Sequence, residues 1–128
     1  MKKITPTYQG ENKGHYSPGI LSNEMLYISG QLSIDPDTRQ VPSGGIEEHA
    51  KLALNNMDRV LREAGLGRES VVHCRIYVTD IEQWDRVNEI YSDFFGEHKP
   101  ARIVIPVGPL HFGCLIEIEA IAEVVEAR

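Results

Sequence analysis

The last apolar run of the chain, Leu115 to Val124, alternates. Ile116, Ile118, Ala120, Ala122 and Val124 keep a two-residue period, while Glu117, Glu119 and Glu123 take the other side. Glu and Ala are strong helix formers. A two-residue period, however, separates apolar side chains from carboxylates only in a strand. A chain with such a strand has to build a sheet that buries one face and leaves carboxylates on the other. A second run, Ile103-Val104-Ile105, is led in by Lys99-Pro100-Ala101-Arg102, so it reads as a strand that starts on a guanidinium. Charge on a half-buried sheet is costly unless it is paired. A fixed cation and a carboxylate in that setting suit the binding of a small carboxylate substrate and the aiming of a water at it.

The rest of the pattern surrounds these two runs. Residues 1–13 are polar and read as a loosely held edge strand or arm, followed by the turn Gly14-His15-Tyr16-Ser17-Pro18-Gly19. Ile20-Leu21, Ser22-Asn23 and Met25 to Leu32 give a short strand, a hairpin and a longer strand, closed by the turn Asp35-Pro36-Asp37-Thr38. After Gly44-Gly45, the positions Ile46, Ala50, Ala53, Leu54, Met57, Val60, Leu61 and Ala64 step by three and four. That spacing predicts one apolar helix face, with Gly65 as a left-handed stop. In Ser70 to Val78, Val72, Cys74, Ile76 and Val78 are expected on one side of a strand, with His73, Arg75 and Tyr77 on the other. Asp80 with Gln83 reads as a capping box for a second helix that carries Trp84, Val87, Ile90, Tyr91, Phe94 and Phe95 on one face and ends at Gly96. The expected order is therefore β, β, α, β, α, β, β, in a single α+β domain over residues 1–128.

Two amphipathic helices cover only one face of such a sheet. The other face is expected to carry Met25, Tyr27, Tyr77, Val104 and Leu115 among its polar groups. A partly apolar open face argues for a partner chain, most often a second copy. The alternative is a monomer with a wet sheet face.

Composition excludes several classes of function. The formal net charge is −6 and no basic stripe is present, which argues against nucleic acid as a partner. No apolar run approaches the ~20 residues that span a bilayer. The basic start, Met1-Lys2-Lys3, precedes no apolar segment, so it does not read as a signal peptide, and a cytoplasmic protein without membrane contact is the default expectation. Cys74 and Cys114 read as small buried hydrophobes rather than a disulfide. The five histidines fall singly on different segments and give no metal-ligand spacing.

At these residues the chain resembles the Rid (reactive intermediate deaminase, YjgF) family. The resemblance runs nearly end to end. It rests on Tyr16 in its glycine-rich turn, on Ile28-Ser29-Gly30-Gln31, on Asn88-Glu89-Ile90-Tyr91-Ser92-Asp93-Phe94-Phe95, on Pro100-Ala101-Arg102 and on Ile116-Glu117-Ile118-Glu119-Ala120-Ile121-Ala122. It implies a chorismate-mutase-like (YjgF-type) α+β fold, with a mixed sheet and two helices on one face. It further implies a homotrimer with three sites in the clefts between subunits. The implied reaction is hydrolysis of 2-imino acids such as 2-iminobutanoate and 2-iminopropanoate, and of their enamine tautomers, to 2-keto acids and ammonia, with no cofactor.

Carried over residue by residue, Arg102 matches the family's carboxylate-binding arginine, and a guanidinium fork is suited to holding a carboxylate in one plane. Its alternative is a structural arginine bridging Glu117 or a neighbouring chain. Glu117 matches the water-positioning glutamate, whose alternative is a sheet-edge carboxylate paired to a cation. Burial would raise its proton affinity and a nearby Arg102 would lower it. Glu119 is given a structural role. Tyr16 either bonds substrate or packs, Gly30 lets backbone approach ligand, Ser29 lends a hydroxyl, and Asn88 lies where members carry a polar helix residue near the pocket. Val104 stands where many members carry a reactive cysteine, so a redox response through that thiol is not expected. The loop Pro106 to Gly113 suits a shaped pocket wall in which Phe112 sets substrate size. Other readings that remain are a non-catalytic module binding a keto acid, an endoribonuclease-type translation inhibitor, and a specialised deaminase of a degradation pathway.

Overall fold

The alternating run forms β6 (Ile116–Glu123), and it lies inside the sheet, hydrogen-bonded on both sides. The computed structural model describes residues 1–124. Its other strands are β1 (Lys2–Ile4), β2 (Gly19–Ser22), β3 (Met25–Leu32), β4 (Val71–Val78) and β5 (Ala101–Pro106), and its helices are α1 (Ile46–Glu63) and α2 (Trp84–Phe95). The strand order across the sheet is β1-β2-β3-β6-β4-β5. All neighbours pair antiparallel except β4 and β5, which run parallel with α2 as the crossover between them. This is the α+β architecture that the apolar pattern predicts.

One face of the sheet is closed by the two helices. Leu26, Ile28, Cys74, Ile76, Val78, Ile116, Ile118 and Ala120 from the strands join Leu54, Met57, Val60 and Leu61 of α1 and Val87, Ile90, Tyr91 and Phe95 of α2 in one core. The alternation in β6 holds through Ala122, with the even-numbered residues buried and Glu117 and Glu119 half-buried on the other face. Val124 departs from it, because the strand ends at Glu123 and Val124 is 39 % exposed. The stop after α1 is as expected: Gly65 takes φ 75°, and the N–H groups of Gly65 and Leu66 return to the carbonyls of Arg62 and Leu61.

Local detail differs in four places. In β4 the inward residue near the start is Val71 rather than Val72, because the register against β6 shifts between Val71 and His73 and puts Val72 in a bulge. The capping box ahead of α2 does not form. Asp80 accepts from the Glu82 N–H at 3.0 Å and caps a short 3₁₀ turn, and Gln83 makes no capping bond. The N-terminal arm is more firmly held than its polarity suggests, since β1 pairs with β2 and Ile4 is 3 % exposed. Finally, Val104 packs toward the helices rather than lining the open face, because it stands level with Ile76 in the parallel register. The open face instead displays Tyr27 and Ile103, each about half exposed at 48 % and 47 %.

Ile118 is 1 % exposed at the centre of this core. Ile118→Ala should lower unfolding free energy by about 2–5 kcal/mol, the range for a truncated buried aliphatic. Urea denaturation should show it as a lower midpoint at constant slope.

Candidate functional site

A cavity of about 720 Å³ opens over the end of β6 that carries Glu117. Its walls are the segment joining β1 to β2, the β3 strand around Ser29 and Gly30, the turn after β3, and the loop ahead of β6. Each wall is tied down by backbone. Gly10 N–H donates to the Pro36 carbonyl at 3.0 Å, and Ser29 N–H donates to the Pro18 carbonyl at 2.9 Å. The buried Asn56 side chain of α1 donates to the carbonyls of Leu32 and Ile34 at 3.0 and 2.8 Å. Buried His49 accepts the Leu115 N–H at Nδ1 (3.3 Å), and the Ser33 hydroxyl lies 2.6 Å from the same nitrogen. That nitrogen therefore acts as the acceptor, and the ring proton sits on Nε2.

Glu117 enters this cavity beside a bulge in β3. Between Ile28 and Gln31, β3 spends one residue more than β6 does, so Ser29 and Gly30 leave the ladder opposite Glu119, next to the Leu32–Glu117 pair. The Glu117 carboxylate lies directly over Gly30. A Cβ at that position would come within 2.7 Å of Glu117 Oε2, so a side chain there would push the carboxylate aside. No cation and no hydrogen-bond donor pairs with Glu117 among the described residues. Burial first, and then the charge of Glu119, push its carboxyl above the ordinary glutamate range. Glu119, two residues on, is engaged instead: Tyr77 donates its hydroxyl to it and Arg75 lies 3.7 Å away. The hydrogen bond from Tyr77 explains why that phenol, in turn, is held above its usual pKa.

Of the residues singled out by sequence, Tyr16, Ser29, Gly30 and Glu117 line this one cavity. The Tyr16 hydroxyl accepts from Asn12 Nδ2 at 2.6 Å, and Ser29 donates its hydroxyl to the Ser17 carbonyl at 2.6 Å, so the serine proton is already committed. Arg102, Asn88 and Val104 are elsewhere. Arg102 stands level with Cys74 in the parallel pair, on the helix-bearing face, whereas Glu117 stands level with Tyr77 on the other face. Within one chain the guanidinium and the carboxylate do not share a pocket.

Arg102 nevertheless has a built environment that sequence reasoning missed. Its Cζ lies 4.8 Å from the centre of the Tyr91 ring and 5.4 Å from that of Trp84, and Nη1 donates to Asn88 Oδ1 at 2.9 Å. Trp84, Asn88 and Tyr91 follow the spacing of a helix face, which was the available signal. Two aromatic faces and one amide fix the guanidinium plane without neutralising it. No carboxylate pairs with Arg102 among the described residues. Beneath it, burial pushes the Cys74 thiol up to about 11, so little of it is the reactive thiolate at neutral pH. No cluster of three or more metal-ligating side chains exists among the described residues, and no helix is long and apolar enough to cross a membrane.

A mixed sheet with two helices on one face and a carboxylate-bearing cavity on the other defines a protein of the YjgF type. The chain belongs to the Rid (YjgF) family: residues 9–124 match the family described as Endoribonuclease L-PSP. It is 43 % identical over 109 residues to human 2-iminobutanoate/2-iminopropanoate deaminase, spanning 85 % of this chain and 80 % of the relative. A RutC family protein of Pyrococcus abyssi is 39 % identical over 109 residues, spanning 85 % of this chain and 86 % of the relative. Among solved structures, Escherichia coli TdcF with bound serine superposes with a TM-score of 0.87 at 32 % identity, over 95 % of this chain and 98 % of that one.

The isolated position of Glu117 sets a measurable property. A carboxyl-carbon NMR titration should place its pKa above the reference 4.5. Glu119→Gln removes the neighbouring like charge and should move that value down; an unchanged value would assign the whole shift to burial.

Proposed function

We propose that this protein is an imine/enamine deaminase that hydrolyses 2-imino acids such as 2-iminobutanoate and 2-iminopropanoate to the 2-keto acid and ammonia, in a site shared by two copies of the chain. The observation that carries this reading is the pair of unsatisfied charges. Among the described residues, Arg102, held against the Trp84 and Tyr91 rings, has no carboxylate partner, and Glu117, half-buried over Gly30, has no cation, although the two groups stand on opposite faces of one sheet. A neighbouring copy that docks its Arg102 edge against the Glu117 cavity brings them together. A cyclic trimer repeats that contact three times, and closed rings are the common outcome of such head-to-tail contacts. The names of the mammalian relatives support the reaction, and the serine held by TdcF supports a small amino-acid-like ligand with one carboxylate.

The chemistry follows from the two groups. Arg102, its plane set by Asn88 and the two rings, grips the substrate carboxylate through two parallel N–H donors. This fixes the imine carbon over the Glu117 carboxylate. Glu117 takes a proton from a water as its oxygen bonds to the imine carbon and the C=N pair moves onto nitrogen. The same proton then passes to nitrogen to give a carbinolamine. Glu117 next takes the hydroxyl proton as the O–H pair becomes C=O and the C–N pair leaves with nitrogen, and that second proton completes the departing ammonia, leaving the keto acid. A carboxylate in a partly dry site is a stronger base than one in water, which fits Glu117 to this step. Arg102 then acts as binder and Glu117 as general base, with Tyr16, Ser29 and Gly30 shaping the cavity beside them. The formal charge of −6 disfavours the endoribonuclease reading that the family's description carries, because a polyanion would have to approach an acidic protein.

Three results test this. Arg102→Ala and Glu117→Gln should each lower kcat/KM for an imine generated by an amino-acid oxidase by roughly a hundredfold or more, the scale of a lost general base or anchoring group. Unfolding the two inactive variants together and refolding them as a mixture should restore activity at about a quarter of the sites, since each site then draws one intact group from each chain. Full activity in Arg102→Ala, or no rescue on mixing, would remove the shared site. The kcat/KM profile should fall on the acid side with an apparent pKa above 4.5, because Glu117 must be ionised to accept the proton.

A further inference from the structure

Phe112 breaks a backbone rule at the edge of the Glu117 cavity. Its φ is 59°, in the left-handed region that bulky L residues rarely occupy, and Gly113 follows at 73°. Burial does not explain the strain, since the ring is 61 % exposed and its aromatic contact is the edge of His111, 3.8 Å away between centres. The turn that carries it is well anchored. The N–H groups of Gly113 and Cys114 close back on the carbonyls of Leu110 and His111, Cys114 is 1 % exposed, and Leu115 is fastened to His49. A rigid turn therefore holds an aromatic ring in water, over a cavity whose other walls include Leu32, Ile34 and Pro36. Neither the carboxylate grip nor the water-activating step uses these apolar groups.

Resting on the deaminase reading, we infer that Phe112 is a specificity-determining residue that selects 2-imino acids with bulky apolar side chains, branched aliphatic or aromatic, over the imine of alanine. A methyl side chain leaves water between Phe112 and the aliphatic wall formed by Leu32, Ile34 and Pro36. An isobutyl or benzyl group displaces that water and covers the ring. One added methylene in an apolar pocket is worth roughly 10- to 200-fold in kcat/KM, so even partial contact separates the two classes.

The test uses the full chain and two readouts. The first is kcat/KM for imines made in situ by an amino-acid oxidase from leucine, phenylalanine and alanine. The second is direct binding of the stable products 4-methyl-2-oxopentanoate, phenylpyruvate and pyruvate, followed by calorimetry. The wild type should favour the leucine- or phenylalanine-derived ligand over the alanine-derived one by about tenfold or more in both. Phe112→Gly suits the positive φ and should keep the melting temperature, yet it should collapse the ratio to about threefold or less, while Phe112→Tyr retains it. A wild type without preference, or a Phe112→Gly chain that keeps the full ratio, overturns the inference. So does a Phe112→Gly chain that loses assembly while its remaining ratio is intact, since the ring then belongs to an interface. Absence of turnover on every imine defeats the deaminase reading alone, because the keto-acid binding ratio still reports on Phe112.

Discussion

Strand β6 is hydrogen-bonded on both edges, and the direction of its side chains organises the molecule. Ile116, Ile118, Ala120 and Ala122 are pinned to the helices by the hydrophobic effect, which is the largest favourable contribution to folding. The pleat then obliges Glu117 and Glu119 to face away. A slip of one residue would turn three carboxylates toward the helices and expose four apolar groups, so the register that stabilises the core also fixes the site. Fold and chemistry are coupled through a single geometric period.

The two glutamates that share this face have different environments, and the difference comes from their neighbours. Glu119 stands level with Arg75 and within reach of Tyr77, so its charge is compensated inside the chain. Glu117 stands beside the β3 bulge, where Gly30 offers space and no countercharge. The result is one structural carboxylate and one that is poised, two residues apart on one strand. Arg102 is the mirror case: a cation with fixed orientation and no anion among the described residues. Charges left unpaired at partly dry positions are destabilising, and proteins that retain them at a cleft commonly use them. The strained Phe112 turn, which lines the same cavity, belongs to the same pattern.

The roles of Glu117 and Arg102 were proposed from sequence through motif order, and the alternation of β6 correctly placed the glutamate on the open face. Arg102 was harder. The run Arg102-Ile103-Val104-Ile105 has no polar alternation after its first residue, so nothing local says which face the arginine takes. The aromatic clamp of Trp84 and Tyr91 was hidden inside a helix face that reads equally well as core. Asn56 and His49 were passed over because their backbone partners, in the turn after β3 and the loop ahead of β6, are distant in sequence.

The sequence by itself determined the elements from β2 to β6, their order, the core face of each helix, the Gly65 stop and the side on which Glu117 projects. These are consequences of apolar period and local backbone preference, which neighbouring residues fix among themselves. Only the tertiary structure decided that Val71 rather than Val72 turns inward, that Asp80 caps a 3₁₀ turn, and that Arg102 and Glu117 stand on opposite faces. Those outcomes depend on the register between strands distant in the chain, above all the parallel pairing of β5 with β4. Register is set by the packing of the whole core against the sheet, and no short stretch of residues contains that information.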